Sequence, residues 1–206
     1  MKRDRGWFLA VAIVLMFLVA SGAARAQTVQ WDIISITSFN PVTFVGGGVD
    51  TAIAQDGSRI SLTGSGTFVV ATPTMVTGGG VWITRDPVGN VTGLGTYQVT
   101  ELIQWNEAPG TLPPNAIEKV VKQGSASGEV FKLADVRGGV AVLRITYSDG
   151  SRGLLVVHCH LPVGGLPTIP EGISATKGLV NYWFIPIPVP LVNGNRTQFN
   201  ILAPAP

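Results

Sequence analysis

Short runs of β-branched residues, separated by turn sequences, constrain the fold of this chain more than any other feature. Valine, isoleucine and threonine dominate the runs, and these residues fit a pleated, half-buried surface. Turn residues follow most of the runs, as in Asp56-Gly57-Ser58 and Asp149-Gly150-Ser151. The pattern predicts an all-β, single-domain antiparallel sandwich or barrel. The predicted strands are 29–36, 50–55, 59–64, 66–72, 79–85, 95–105, 139–147, 153–161, 173–183 and 196–202.

One stretch has the features of a short helix. Asn115 can serve as its N-cap, with Glu118 three residues later at the spacing of a capping box. Three β-branched residues form an apolar stripe, and Gly124 provides a stop. We therefore predict a helix over residues 116–123. It has to dock on the sheet, because a helix of two turns is marginally stable alone.

Two segments share a G-x-G-T-aromatic-x-V pattern. These are GSGTFVV at residues 64–70 and GLGTYQV at residues 93–99. A glycine before β-branched residues is typical of a bend at the start of a strand. Each segment is therefore predicted to lead into a strand with an aromatic side chain, Phe68 or Tyr97, pointing inward.

The start of the chain has the three parts of a secretory signal peptide. Three basic residues lie among the first five, an uncharged apolar run covers residues 7–20, and small residues lead to Ala24-Arg25-Ala26. The apolar run is shorter than the roughly 20 residues that a membrane-spanning helix needs. We therefore predict a helical signal peptide over residues 1–26. The protein is expected to be secreted or periplasmic, with no membrane anchor after cleavage.

Removal of the leader changes the charge of the chain. The leader holds four of the 14 basic residues and one of the 12 acidic residues, so the mature chain has 10 basic and 11 acidic residues and a net charge of −1. No basic cluster remains, which argues against a nucleic-acid partner. Residues 27–206 suit a single β-rich globular domain, large enough to bury a hydrophobic core.

A hairpin is predicted late in the chain. Asp149-Gly150 is a strong turn signal, and the flanking runs 139–147 and 152–160 are apolar on both faces. With a two-residue loop, Ala141 pairs with His158. Because both faces are apolar, the hairpin is expected to be central in the sheet.

The same hairpin carries the only cysteine and the only two histidines of the chain. Alternation along a strand places His158 and His160 on one face and Cys159 on the other. Cys159 is expected to be a buried packing residue. The two histidines are the candidate metal ligands, since imidazole suits copper or zinc. The alternative is a pair of partly buried histidines hydrogen-bonded to carbonyl or hydroxyl groups.

The sequence leaves open whether the protein is an enzyme. It contains no G-x-S-x-G nucleophile elbow. Neighbouring strand residues point away from each other, so neither histidine is placed to activate Cys159. Glu101, Glu107 and Glu171 are candidates for a carboxylate pair, but each is expected at the solvated surface. The catalytic residues stay unknown, and no cofactor is predicted.

Three functions remain from different classes. The first is a secreted β-rich binding or surface-interaction protein whose ligand is an unknown small molecule, carbohydrate or protein. The second is a small secreted enzyme, a hydrolase or isomerase, with its site in the mouth of a barrel. The third is a periplasmic metal-binding protein that uses His158 and His160. The first is preferred because the sequence completes neither a catalytic nor a metal constellation.

Overall fold

The structure, a computed structural model, describes residues 27–186 and 194–202. The predicted signal peptide over residues 1–26 lies outside the described residues. Within the described ranges, no helix is long and apolar enough to cross a membrane.

Nearly all of the secondary structure is β, as the sequence predicts. A 3-10 turn at Leu133–Asp135 is the helical element among the described residues. The strands are β1 (Thr28–Phe39), β2 (Val42–Gly46), β3 (Asp50–Ala54), β4 (Arg59–Leu62), β5 (Ser65–Val69), β6 (Thr72–Val76), β7 (Gly79–Arg85), β8 (Val91–Ala108), β9 (Ile117–Glu118), β10 (Val136–Tyr147), β11 (Arg152–Cys159), β12 (Gly172–Lys177), β13 (Val180–Phe184) and β14 (Thr197–Leu202).

The strands form one large sheet that is antiparallel except where β2 meets β9. Its pairings close on themselves: β10 pairs with β11, and the circuit continues through β12, β13, β3, β4, β7 and β8 back to β10. β1 and β14 pair with each other along six residues, and β14 also meets the start of β10. This arrangement fits the predicted antiparallel sandwich or barrel.

The hydrophobic core lies against the inward faces of these strands and is rich in aromatic side chains. Phe68 and Tyr97 are both buried, which confirms the inward aromatic predicted for each repeated segment. The glycine before Phe68 is required by close packing. A Cβ atom at Gly66 would lie 2.7 Å from the Trp31 indole nitrogen and 2.2 Å from the Thr77 carbonyl oxygen. The close approach of the Thr77 backbone and the Trp31 indole therefore explains Gly66 of the pattern.

The predicted helix over residues 116–123 is wrong. Residues 117 and 118 form β9, and the Lys119 N–H donates to the Phe44 carbonyl of β2. Glu118 does not close a capping box. Its carboxylate accepts hydrogen bonds from the Val120 N–H at 2.7 Å and from the Gln198 amide at 2.7 Å. Partners on the sheet therefore outweigh the local helical pattern.

The predicted hairpin forms, but its register differs by one residue. Thr146 pairs with Arg152 and Val140 with His158, whereas a two-residue loop would pair Ala141 with His158. The loop has three residues because Gly150 adopts a positive φ of 86° and donates its N–H to the carbonyl of Tyr147. β10 and β11 are each paired on both sides, so the predicted central position is confirmed.

Candidate functional site

A cavity of about 410 Å³ lies between the β1–β2 hairpin and the chain that follows β11 and precedes β14. Its rim reaches solvent, since Pro162 is exposed and Phe39 and Val42 are only half-buried. Its volume is within the range of small-molecule sites in proteins. The apolar wall includes Ile34, Ile36, Phe39, Phe44, Leu112 and Leu161.

The β1–β2 hairpin builds most of this wall. Ile36 lies opposite Phe44, and Ile34 lies opposite Gly46, so two isoleucines and a phenylalanine occupy neighbouring positions on one face. Leu112 and Leu161 close the cavity from two loops. The wall is therefore made by local strand pairing, together with loops that the sheet brings close.

Glu171 provides the polar end of the cavity. Its carboxyl group accepts the His160 N–H at 2.6 Å and the Thr197 N–H at 2.8 Å. The residue keeps some exposure toward the cavity, but protein atoms enclose the carboxyl group. Burial raises its pKa to about 8, and the nearby carboxyl of Asp50 adds to the increase while Arg196 opposes it.

Asp50 is a second buried acid at the start of β3. One carboxyl oxygen accepts the Arg196 N–H at 2.8 Å, and the other has no hydrogen-bond partner among the described residues. Burial raises its pKa to about 8, against the lowering effects of the Arg196 N–H and guanidinium. Both acids are therefore largely uncharged near neutral pH.

Arg196 also lines the cavity. It donates to the carbonyl oxygens of Gly194 and Asn195, at 3.5 and 3.4 Å. Within the described part of the chain it forms no ion pair with a carboxylate. Arg196 is half-buried, and its charge acts on the neighbouring carboxyl groups of Asp50 and Glu171.

The histidines and the cysteine occupy three different environments. His158 lies on the outer face of β11, where its Nε2 is 3.2 Å from the Ser174 hydroxyl and burial lowers its pKa to about 4. Cys159 is buried, and burial raises the pKa of its thiol. β11 ends at Cys159, so His160 leaves the strand and lines the same cavity as Cys159. Its Nδ1 is 2.8 Å from the Leu166 carbonyl oxygen.

A metal site at His158 and His160 stays a prediction. One ring nitrogen of each histidine is already within hydrogen-bond distance of a protein oxygen. Residues 27–186 and 194–202 contain no group of three or more histidine, cysteine, aspartate or glutamate side chains that could hold a metal ion. A metal ion bound by His158 and His160 would therefore need further ligands other than the histidine, cysteine, aspartate and glutamate side chains of these residues.

A second cavity of about 380 Å³ lies beside the first. His160 and Glu171 line both cavities, and Ile169, Ile185 and Pro186 contribute apolar surface to the second. The two polar residues therefore stand at the boundary between two largely apolar spaces.

The expectation that every candidate acid is solvated is wrong for Glu171. Glu101 and Glu107 do lie at the surface, where they form ion pairs with Arg144 and Arg137. Glu171 follows a proline and precedes a glycine at the start of β12, and nothing in that sequence indicates burial. No motif links it to Asp50 or Arg196 either, because the three residues are far apart along the chain.

Comparison with protein-family models, with curated proteins and with solved structures finds no match for this chain. Any function has therefore to be inferred from the geometry of the cavity and of its polar end.

Proposed function

We propose that the protein is an exported binding protein that takes up a small, largely apolar molecule in the 410 Å³ cavity. The supporting observation is the composition of the wall, where aliphatic and phenylalanine side chains surround a space with polar groups at one end. Such a combination is typical of small-molecule sites, in which apolar surface supplies affinity and a few polar groups set orientation. Each methylene group that the ligand buries contributes about 0.8 kcal/mol.

The wall favours an apolar small molecule over a carbohydrate ligand. A sugar needs several hydrogen-bonding side chains, but most polar groups around this cavity are already engaged. The Gln198 amide donates to Glu118, and the Thr197 hydroxyl donates to the His158 carbonyl. A sugar in this cavity would leave buried hydroxyl groups unpaired, which is costly.

Export is part of the proposal and rests on the signal peptide predicted for residues 1–26. Sequencing of the protein isolated from the extracellular or periplasmic fraction is expected to begin at Gln27. Retention of the leader in a membrane fraction would contradict export, but would leave the ligand proposal standing.

Binding can be tested with the neutral, apolar fluorescent probe Nile red and with decan-1-ol as a competitor. We expect saturable binding of the probe and its displacement by the alcohol. Val42→Trp places an indole at the half-buried rim of the cavity and is expected to weaken binding at least tenfold. Val81→Trp makes the same change at an exposed position on β7 outside the cavity, and is expected to have little effect. Equal effects of the two variants on the affinity for Nile red would refute the placement of the binding site in this cavity.

A hydrolase or isomerase is the second candidate, and the geometry of His160 favours it. The Leu166 carbonyl can only accept, so Nδ1 carries a hydrogen, and in the neutral imidazole Nε2 then holds the lone pair that a general base needs. Hydrolysis of p-nitrophenyl hexanoate that is lost in His160→Ala, with the fold retained, would favour the enzyme. Binding without turnover would favour the carrier.

A further inference from the structure

The cavity that we propose as the ligand site carries a cation whose role the apolar wall does not explain. We infer that the ligand bears a single carboxylate group, held by the guanidinium of Arg196, on an apolar body that occupies the wall of the cavity. This inference rests on the proposed function and names the chemical class of its ligand.

The setting of Arg196 supports recognition of an anion. Its backbone N–H is fixed by the carboxyl of Asp50 at 2.8 Å, so the residue is anchored immediately before β14. Its side chain meets carbonyl oxygens at 3.4 and 3.5 Å, which are long hydrogen bonds, and it has no carboxylate partner among the described residues. A guanidinium presents parallel N–H donors that match the two oxygens of a carboxylate.

The neighbouring acids favour a single negative charge on the ligand. Asp50 and Glu171 lie close enough to Arg196 for each carboxyl group to interact with its charge. A phosphate dianion would bring a second charge toward two carboxyl groups that themselves ionise as the pH rises. One guanidinium can balance one carboxylate, but the described cavity lining holds no second arginine or lysine to help balance a dianion.

Glu171 should make the affinity for a carboxylate ligand depend on pH. The groups that face its carboxyl are Asp50 from β3, the Cys159 thiol and the His160 N–H at the end of β11, and Arg196 with the Thr197 N–H at the start of β14. The pKa of Glu171 is about 8, so its carboxyl becomes negative between pH 7 and pH 9. An ionised Glu171 repels a bound carboxylate but not a neutral alcohol. Affinity for the acid should therefore decrease as the pH rises.

Calorimetric titration with decanoate and decan-1-ol tests the inference on the full chain. The two probes share the same apolar chain and differ in the head group. For the wild-type protein at pH 7 we expect decanoate to bind about tenfold more tightly than the alcohol, the scale of one charge-assisted hydrogen bond. Arg196→Gln should remove this preference, measured as the ratio of the affinities for the two probes, and Arg196→Lys should restore part of it.

The two probes also separate the possible failures. If decan-1-ol binds and decanoate binds no more tightly, the carboxylate inference is overturned and the binding proposal stands. If neither probe binds, both are overturned. The pH series needs no variant. A decanoate affinity that falls several-fold between pH 7 and pH 9, with no change for the alcohol, supports the inference, and an unchanged ratio between the two probes contradicts it.

Discussion

Asp50→Asn is expected to make the protein more stable at neutral pH by removing a buried acid. In the unfolded chain Asp50 ionises near its ordinary pKa of 3.8, whereas in the folded protein burial keeps it protonated to about pH 8. Between these pH values the folded state holds a proton that the unfolded state has released, so the free energy of unfolding falls as the pH rises. Each pKa unit corresponds to about 1.4 kcal/mol, so Asp50 lowers stability by up to about 4 kcal/mol at pH 7.

The substitution preserves the hydrogen bond that residue 50 accepts from the Arg196 N–H. An asparagine keeps the oxygen that accepts the Arg196 N–H, and its amide nitrogen replaces the oxygen that has no described partner. The amide cannot ionise. The difference in the free energy of unfolding between variant and wild type should therefore grow by up to about 4 kcal/mol from pH 4 to pH 7. Burial also raises the pKa of Asp32, which is common to both proteins, and of Glu171, which in the variant loses the raising effect of the Asp50 carboxyl.

Urea unfolding followed by tryptophan fluorescence, at one-unit intervals from pH 4 to pH 8, measures this difference. Asp135→Asn is the matched control, because it makes the same chemical change in the 3-10 turn. The difference between Asp50→Asn and wild type should change with pH by more than the difference between the control and wild type. Parallel stability curves for Asp50→Asn and the wild type would refute the argument that Asp50 is protonated in the folded state.

Three further predictions follow from buried or central side chains. Cys159→Ser should cost roughly 1–3 kcal/mol in urea unfolding, because it replaces a buried thiol with a more polar hydroxyl group, and the native thiol should react slowly with thiol reagents. Lys177→Ala should cost about 1–2 kcal/mol, since the ammonium of the half-buried Lys177 lies 4.3 and 4.9 Å from two aromatic ring centres, whereas exposed Arg144→Ala should change stability little. Calorimetric titration with copper or zinc tests the metal prediction: tight one-to-one binding that disappears in the His158→Ala, His160→Ala double variant would establish the site, and its absence would leave both histidines with hydrogen-bonding roles.

Strand positions could be predicted from the sequence wherever turn residues punctuate β-branched runs. The strand predicted at 79–85 has the same bounds in the structure, because Gly78 precedes it and an Asp-Pro pair follows it. The sequence predicts one strand over residues 173–183, but the structure divides it into β12 and β13 at Gly178, which has a φ of 57°. The residues around Gly178 carry few turn signals. Turn residues therefore locate the ends of strands well only where several of them occur together.

The candidate site depends on distances that no local pattern contains. Asp50, Glu171 and Arg196 meet because β3, β12 and β14 bring their ends together. The histidine pair attracted attention in the sequence because it is a visible motif, yet only His160 reaches the cavity. Burial of Glu171 follows from the loop after β11 and the start of β14, which supply the two N–H groups that hold it. Such burial is a property of tertiary structure.

The most direct test of the account is whether an apolar ligand occupies the cavity beside the β1–β2 hairpin. The measurement is a titration of protein labelled at its isoleucine methyl groups with decan-1-ol, followed by nuclear magnetic resonance. The account predicts saturable, one-to-one shifts for Ile34 and Ile36, which line the cavity, and unchanged signals for the exposed Ile103 of β8. Shifts that are largest at Ile103, or no saturable change at Ile34 and Ile36, would contradict it.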